Sequence, residues 1–225
     1  MPLLLNIDTA TSFASVGFSR NGVLLGMRAN DAQKEHASFL QPAIQELVRE
    51  CSIPLETIDA VAVTIGPGSY TGLRVGLSSA KGIAYALGKR IVPVVTLEVM
   101  AHAAEKAWEA ESAQPFLFCP MIDARRDEVF TAVYAPGGEV RMEPRALLLS
   151  DEAFDPYISN NLLIFSGDGS VKWKLAYRNS SARFLIVQHS VTDLAALAEK
   201  HLKLGGFTPP AYLQPLYLKE FHKNS

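Results

Sequence analysis

The feature that most restricts the fold is the dipeptide Asn21-Gly22, set between two runs of apolar, small and β-branched residues, 13–19 and 23–28. Asn-Gly suits the two positive-φ positions of a tight hairpin, so the flanking runs pair as antiparallel strands. A third apolar run, 3–8, precedes them. The chain therefore opens β-β-β. The dinucleotide-binding folds open differently, with a first strand that feeds a helix directly.

A helix is expected over about 34–51, with Ala37, Leu40, Ile44, Leu47, Val48 and Cys51 on one face and Pro54 beyond its end. A buried strand over 58–65 follows, closed by Gly66-Pro67-Gly68. Then come a helix over 71–87 stopped by Gly88, a strand over 91–95 and a helix over 97–110. After a polar break at 111–115 the order recurs: strands over 116–123 and 128–134, a Pro136-Gly137-Gly138 turn, and a strand over 140–149. A helix over 150–158, a strand over 162–166, a tight turn at Gly167-Asp168-Gly169, a strand over 184–187 and a helix over 192–204 complete the second half. The tail, 209–221, mixes prolines with aromatic and apolar residues and is expected to pack back on the body. Two halves that each begin with antiparallel strands imply a duplicated, two-lobed α/β architecture with mixed sheets, divided as 1–98 and 99–225.

A chain of 225 residues that is 48% hydrophobic and 20% charged is long enough to bury its own core and is not disordered in character. Lys and Arg number 21 against 23 Asp and Glu, a net charge of -2. Proteins that grip nucleic acid unaided carry a basic excess, so any such contact comes mainly from another subunit, with small basic spots such as Arg125 and Arg126 contributing. Cys51 and Cys119 stand alone, which suits a reducing compartment. No basic region precedes the first apolar run, and no apolar stretch approaches the ~18 residues of a membrane span. No membrane association is expected, and the cytosol is the expected compartment.

The most informative segment is Gly66-Pro67-Gly68-Ser69-Tyr70-Thr71-Gly72-Leu73-Arg74-Val75-Gly76. A strand end, tight turn and helix start expose backbone N–H groups and a positive dipole end that suit an anion, or form a plain turn. It is not a Walker loop, because no Lys-Ser/Thr follows, and its glycine spacing is one residue too long for a dinucleotide fingerprint. Gly72, Gly76, Ala80 and Ala84 recur every fourth residue, a ridge that lets a second helix approach closely. That ridge fits packing inside the lobe and a subunit interface equally. Arg74 sits in the first turn, the wrong end of the dipole for a cation, so it calls for an anionic partner. Glu46 or Glu50 would serve, as would a phosphate or a carboxylate of another chain.

Asp8 and Asp123 end corresponding strands of the two halves. Alone, each reads as a hairpin carboxylate receiving backbone bonds; their pairing is what draws attention. His36, His102, His189, His201 and His222 form no HxxxH or HExxH pair, and there is no Gly-x-Ser-x-Gly elbow. No metal site and no serine nucleophile are expected.

Segment 66–76, together with Ile7-Asp8-Thr9-Ala10-Thr11, Ile122-Asp123-Ala124-Arg125-Arg126 and Pro210-Ala211-Tyr212-Leu213, closely resembles the TsaB (YeaZ) family over essentially the whole chain. The resemblance implies the fold shared by actin, sugar kinases and heat-shock ATPases, a ribonuclease H-like fold. It implies a non-catalytic subunit that supports a TsaD-like catalytic partner, alongside a TsaE-like ATPase. Together these transfer a threonylcarbamoyl group from threonylcarbamoyl-AMP to the adenosine beside the tRNA anticodon. Tyr212-Leu213 is followed by Gln214, where the family usually has Arg one place earlier.

Several departures support the non-catalytic role. Active members of the superfamily place glycine in both phosphate hairpins, where this chain has Ala10, and Ala124 with Arg125. The Asn-His-x-x-x-His metal stretch of TsaD-like proteins aligns with Val95-Thr96-Leu97-Glu98-Val99-Met100, so both ligand histidines are Thr and Met. The family's dimer contact, carried over to the first two helices, places His36, Leu40, Ala43, Leu47, Gly72, Leu73, Arg74, Gly76 and Ala80 in a partner interface. That interface would form a homodimer when the chain is alone, with tRNA reached through the complex. Asp8, Thr11, Asp123, Gly167 and Gly169 are candidates for a vestigial nucleotide site. No cofactor is expected, though weak or interface-bound ATP or ADP remains open. The competing readings are an active ATPase or small-molecule kinase of the same fold, and a peptidase, for which no catalytic signature is present.

Overall fold

The protein is described here from a computed structural model that covers residues 1–31, 35–109, 114–150, 152–176 and 180–219. Lys34 and Ala110, expected in helices, the break at 111–113, Asp151, and the end of the tail with Phe221 and His222 lie outside the described residues. The chain divides into two compact units, Met1–Val99 with His189–Leu216, and Met100–Gln188 with Tyr217–Ser225.

In the first unit β1 (Leu3–Asp8), β2 (Ala14–Arg20) and β3 (Val23–Asn30) form the antiparallel opening. Asn21 and Gly22 both take positive φ, 53° and 74°, as the hairpin requires. α1 (His36–Cys51) leads to β4 (Ala60–Thr64), α2 (Tyr70–Leu87) and β5 (Arg90–Val94), and β4 and β5 join the sheet in parallel. The sheet order is β3-β2-β1-β4-β5.

β1 and β4 are buried along their whole length because both faces of the sheet are covered. Leu3, Leu5, Ile7, Val61 and Val63 face the core built with Leu40, Ile44 and Leu47 of α1 and Leu77, Ala80 and Ala84 of α2. The alternate residues Leu4, Ala60 and Ala62 face Val191, Leu194, Leu197 and Ala198 of α6 (Val191–Lys203). Ser190 caps α6, accepting from Thr192 N at 3.1 Å, while Asp193 receives the Ser190 N–H in return.

The chain crosses to the second unit within α3 (Thr96–Ala107). There β6 (Phe116–Asp123), β7 (Glu128–Tyr134) and β8 (Val140–Leu148) repeat the antiparallel opening, and β9 (Leu162–Ser166) and β10 (Ala182–Leu185) add in parallel. Read from β8, the order is β8-β7-β6-β9-β10, the same topology as the first sheet. One face packs on Phe154, beside α4 (Asp155–Ile158), and on Trp173 of α5 (Gly169–Ala176), with Phe154 and Phe165 edge to face at 5.1 Å.

The sequence reading assigned no element between the Gly167 turn and the strand over 184–187; the turn opens α5, whose run has little amphipathic contrast and so gave no periodic signal. Two expectations are corrected. The helix expected over 150–158 is described only as α4, a single turn. Residues 189–216 return to the first unit, because the apolar stripe of α6 covers the far side of β1, β4 and β5. A division of the chain as 1–98 and 99–225 would strip the first sheet of that cover.

Candidate functional site

The glycine segment is explained by what it approaches. A Cβ on Gly68 would overlap the Ala10 carbonyl oxygen, one on Gly72 the Thr9 carbonyl oxygen, and one on Gly76 the Thr9 hydroxyl. Closely docked, the segment and the β1–β2 turn exchange polar bonds. Ser69 N donates to Ala10 O at 2.7 Å, and the Thr9 hydroxyl donates to Gly72 O at 2.7 Å. The Ser69 hydroxyl caps α2 by accepting from Gly72 N at 3.2 Å. His36, at the start of α1, is buried, and its Nε2 donates to Thr11 O at 2.8 Å. The loop is thus a clamp on the first hairpin.

The small-residue ridge therefore faces inward. His36, Leu40, Ala43, Leu47, Gly72, Leu73, Gly76 and Ala80 are all buried within the first unit. As members of a docking surface they are corrected: the same small and apolar stripe that suits a partner is needed to cover the sheet. Of the expected interface residues only Arg74 faces outward. Its guanidinium lies over the Tyr70 ring, 3.9 Å from the centroid, one helical turn away. Glu46 and Glu50, offered as local partners of Arg74, both pair with Arg28 of β3.

The outer face of α2 instead presents Thr71, Arg74, Ser78, Gly82 and Tyr85, at helical spacing. Tyr85 is 84% exposed. Gln41 of α1 donates to Ser79 of α2 at 2.9 Å, tying the two helices into one surface. Tyr85, on the same face as Arg74 and Ser78, was not among the residues singled out from the sequence.

Each unit carries its own part of the expected nucleotide site. In the first, Asp8 is buried; its Oδ1 accepts from Thr64 Oγ1 at 2.9 Å and Ala10 N at 3.2 Å, and its Oδ2 lies 3.4 Å from His189 Nε2. Thr11 Oγ1 turns to Phe13 O. In the second, Asp123 Oδ1 accepts from Lys172 Nζ at 2.6 Å and Arg125 N at 2.7 Å. The hydrogen bond from Lys172 holds the Asp123 carboxyl below the usual carboxylate range. Lys172 Nζ also donates to Arg126 O and Glu128 O, both at 2.8 Å, so all three of its donors end on the turn between β6 and β7. A Cβ on Gly167 would overlap the Met121 carbonyl oxygen, and Gly169 closes on Ile122 and Met121. These glycines serve the packing of α5 on β6.

Thr96 and Met100, at the positions aligned with metal-holding histidines, are buried. Among the described residues no group of three or more His, Cys, Asp or Glu side chains is placed to hold a metal ion. Burial pushes the Cys119 thiol up, which leaves it unreactive. No helix among the described residues is long and apolar enough to cross a membrane.

Two five-stranded mixed sheets of identical order, each opening on an antiparallel hairpin, define a two-unit α/β protein of the actin and sugar-kinase type. A model of the family described as TsaD, tRNA N6-adenosine threonylcarbamoyltransferase, matches residues 22–203, and the chain belongs to that family. Among curated proteins, the tRNA threonylcarbamoyladenosine biosynthesis protein TsaB of Haemophilus influenzae is 35% identical over 127 residues, 56% of this chain and 51% of that protein. TsaB of Escherichia coli is 34% identical over 131 residues, 58% of this chain and 54% of that protein. The chain thus spans about half the length of these curated relatives. The solved structure of YeaZ from Pseudomonas aeruginosa superposes with a TM-score of 0.81 at 27% identity, covering 97% of this chain and 100% of that one. These relatives bear out the TsaB (YeaZ) resemblance read from the sequence.

Proposed function

We propose that this chain is a non-catalytic subunit of tRNA threonylcarbamoyladenosine synthesis, acting in the cytoplasm. It supports a TsaD-like catalytic partner and works alongside a TsaE-like ATPase. It docks through the outer face of α1 and α2, pairs with its own copy through that face when alone, and meets tRNA through the complex. The observation that carries the non-catalytic reading is that both hairpins are occupied by the chain's own packing. The N–H groups of Ala10, Ala124 and Arg125 already donate to Asp8 Oδ1, Glu128 O and Asp123 Oδ1. A phosphate held by backbone needs such groups free and glycine beneath it.

The test is the mass in solution of the chain mixed with its TsaD-like partner. Assembly is expected for the wild type, and a Tyr85→Ser variant of unchanged melting temperature is expected to lose it. Separate species at micromolar concentration for the wild type would sink the reading. Gly76 is no probe of the interface, since it faces Ile7 and Thr9.

A second reading, an active ATPase or small-molecule kinase, is favoured by the match to a family described as a transferase and by the carboxylates Asp8 and Asp123. Calorimetry with Mg-ATP on the isolated chain separates the two: tight binding with turnover supports the second.

A further inference from the structure

The turn between β6 and β7 holds two arginines in an uncommon state. Arg125 and Arg126 both take left-handed backbone, at φ 66° and 55°. Two consecutive positions of this kind favour Gly or Asn, and a residue with a Cβ there costs roughly 1–2 kcal/mol. Strain of this kind persists only where the surroundings fix it.

Here two lysines fix it. Lys172 Nζ makes three bonds, to Asp123 Oδ1, Arg126 O and Glu128 O. Lys219 Nζ donates to Ala124 O at 3.3 Å and to the Glu128 carboxylate. Of the four cations that the described residues place around the turn, the lysines face inward and hold it. The arginines are exposed, and neither guanidinium makes a hydrogen bond or salt bridge with the described residues. Their charge acts only weakly within the chain, through the pull of Arg125 on the Asp123 carboxylate. Asp127 lies beside them, but Asp123 and Glu128 are already paired with the lysines.

We propose that Arg125 and Arg126 form a contact for the phosphodiester backbone of an RNA. The choice of polymer rests on the function proposed above; the placement of the cations does not. Arginine is the side chain suited to phosphate, because its planar fork donates two parallel bonds to two oxygens. Consecutive Cα atoms about 3.8 Å apart bring two such forks to one short stretch of strand. A chain of net charge -2 cannot bind RNA strongly by itself, so the pair adds a local, salt-sensitive contact to an assembly that supplies the rest.

The isolated chain, labelled to resolve arginine Nε–H signals, is titrated at low salt with an RNA stem–loop, with inorganic phosphate at equal phosphate concentration, and with a polyglutamate peptide. The Arg125 and Arg126 signals are expected to shift with RNA and to move much less with the other two. In the complex, Arg125→Gln/Arg126→Gln is expected to reduce the slope of log K against log salt by roughly 0.7 to 0.9 for each arginine, with unchanged melting temperature. Arg125→Lys/Arg126→Lys should restore most of that slope. The proposal is overturned if neither signal moves up to millimolar RNA, or if the Gln variant keeps the wild-type slope. It is equally overturned if polyglutamate or free phosphate moves the signals as far as RNA does, which would mark a protein or small-anion site. Co-elution with the TsaD-like partner is followed separately. If the wild-type chain does not assemble, the accessory reading falls, while the RNA titration still decides the role of the arginines.

Discussion

Gly72 and Gly82 stand ten residues apart on α2 and have opposite reasons to be glycine. A Cβ on Gly72 would overlap the Thr9 carbonyl oxygen, whereas one on Gly82 would meet nothing within 4 Å. Gly72→Ala must push helix from hairpin and is expected to destabilise by about 1–3 kcal/mol. Gly82→Ala should stabilise by up to about 1 kcal/mol, since only the entropic cost of a mid-helix glycine is removed. Chemical denaturation of the two variants checks both signs. The four-residue spacing of Gly72, Gly76, Ala80 and Ala84 was legible as a site of close approach. What approaches was not, because a ridge carries no address: β1 and its turn satisfy the requirement as well as a second chain does. Arg126→Gly tests the strain at the second hairpin. It is expected to be neutral or to gain up to about 1 kcal/mol in the same measurement, since the left-handed penalty disappears against the entropy glycine loses. A large loss would mean that the arginine side chain stabilises the turn.

At the scale of elements, α3 and α6 meet through Glu98 and His201, 2.8 Å apart and partly buried. The Glu98 carboxylate, chiefly through that hydrogen bond, raises the His201 pKa above its ordinary value, although burial opposes it. A raised folded pKa makes the contribution complete below the unfolded value of about 6.5 and removes it as pH rises through the higher folded value. Wild-type stability should therefore decline as pH rises above about 6.5, by under about 1 kcal/mol more than that of Glu98→Gln. Denaturation midpoints of the two proteins at several pH values measure the difference; parallel profiles would remove the pair from the account. Boundaries and types of most strands and of α1, α2 and α6 were legible because hairpin glycines and apolar periodicity are local. Arg74 shows the limit of such reading: its cationic charge at a helix start suggested an anion, while Tyr70, four residues earlier, supplies a π face.

The whole molecule depends on one non-local event, the return of His189–Leu216 to the first unit. Nothing within α6 says which sheet its stripe of Val191, Leu194, Leu197 and Ala198 will cover, so sequence reading assigned it by proximity. The segment adds more than a helix. Ile91 and Thr208 form an antiparallel bridge along the edge of β5, Leu213 is buried in the core beside α2, Lys81 donates to Leu213 O at 3.1 Å, and Leu216 N donates to Ile65 O at 2.7 Å. A fragment of residues 1–99 would thus expose the α6 side of β1, β4 and β5, leave a hole at Leu213 and open the β5 edge to intermolecular pairing. Burial of a single Leu of this kind is worth about 2–5 kcal/mol against Ala, comparable to a large part of a domain's total stability. The fragment is expected to aggregate or to lack a cooperative thermal transition. The same fragment joined by a short linker to residues 189–216 should unfold cooperatively and remain monodisperse at low concentration. A cooperative transition in 1–99 alone would show that the first sheet needs one covered face rather than two, and the division read from the sequence would then be the physical one.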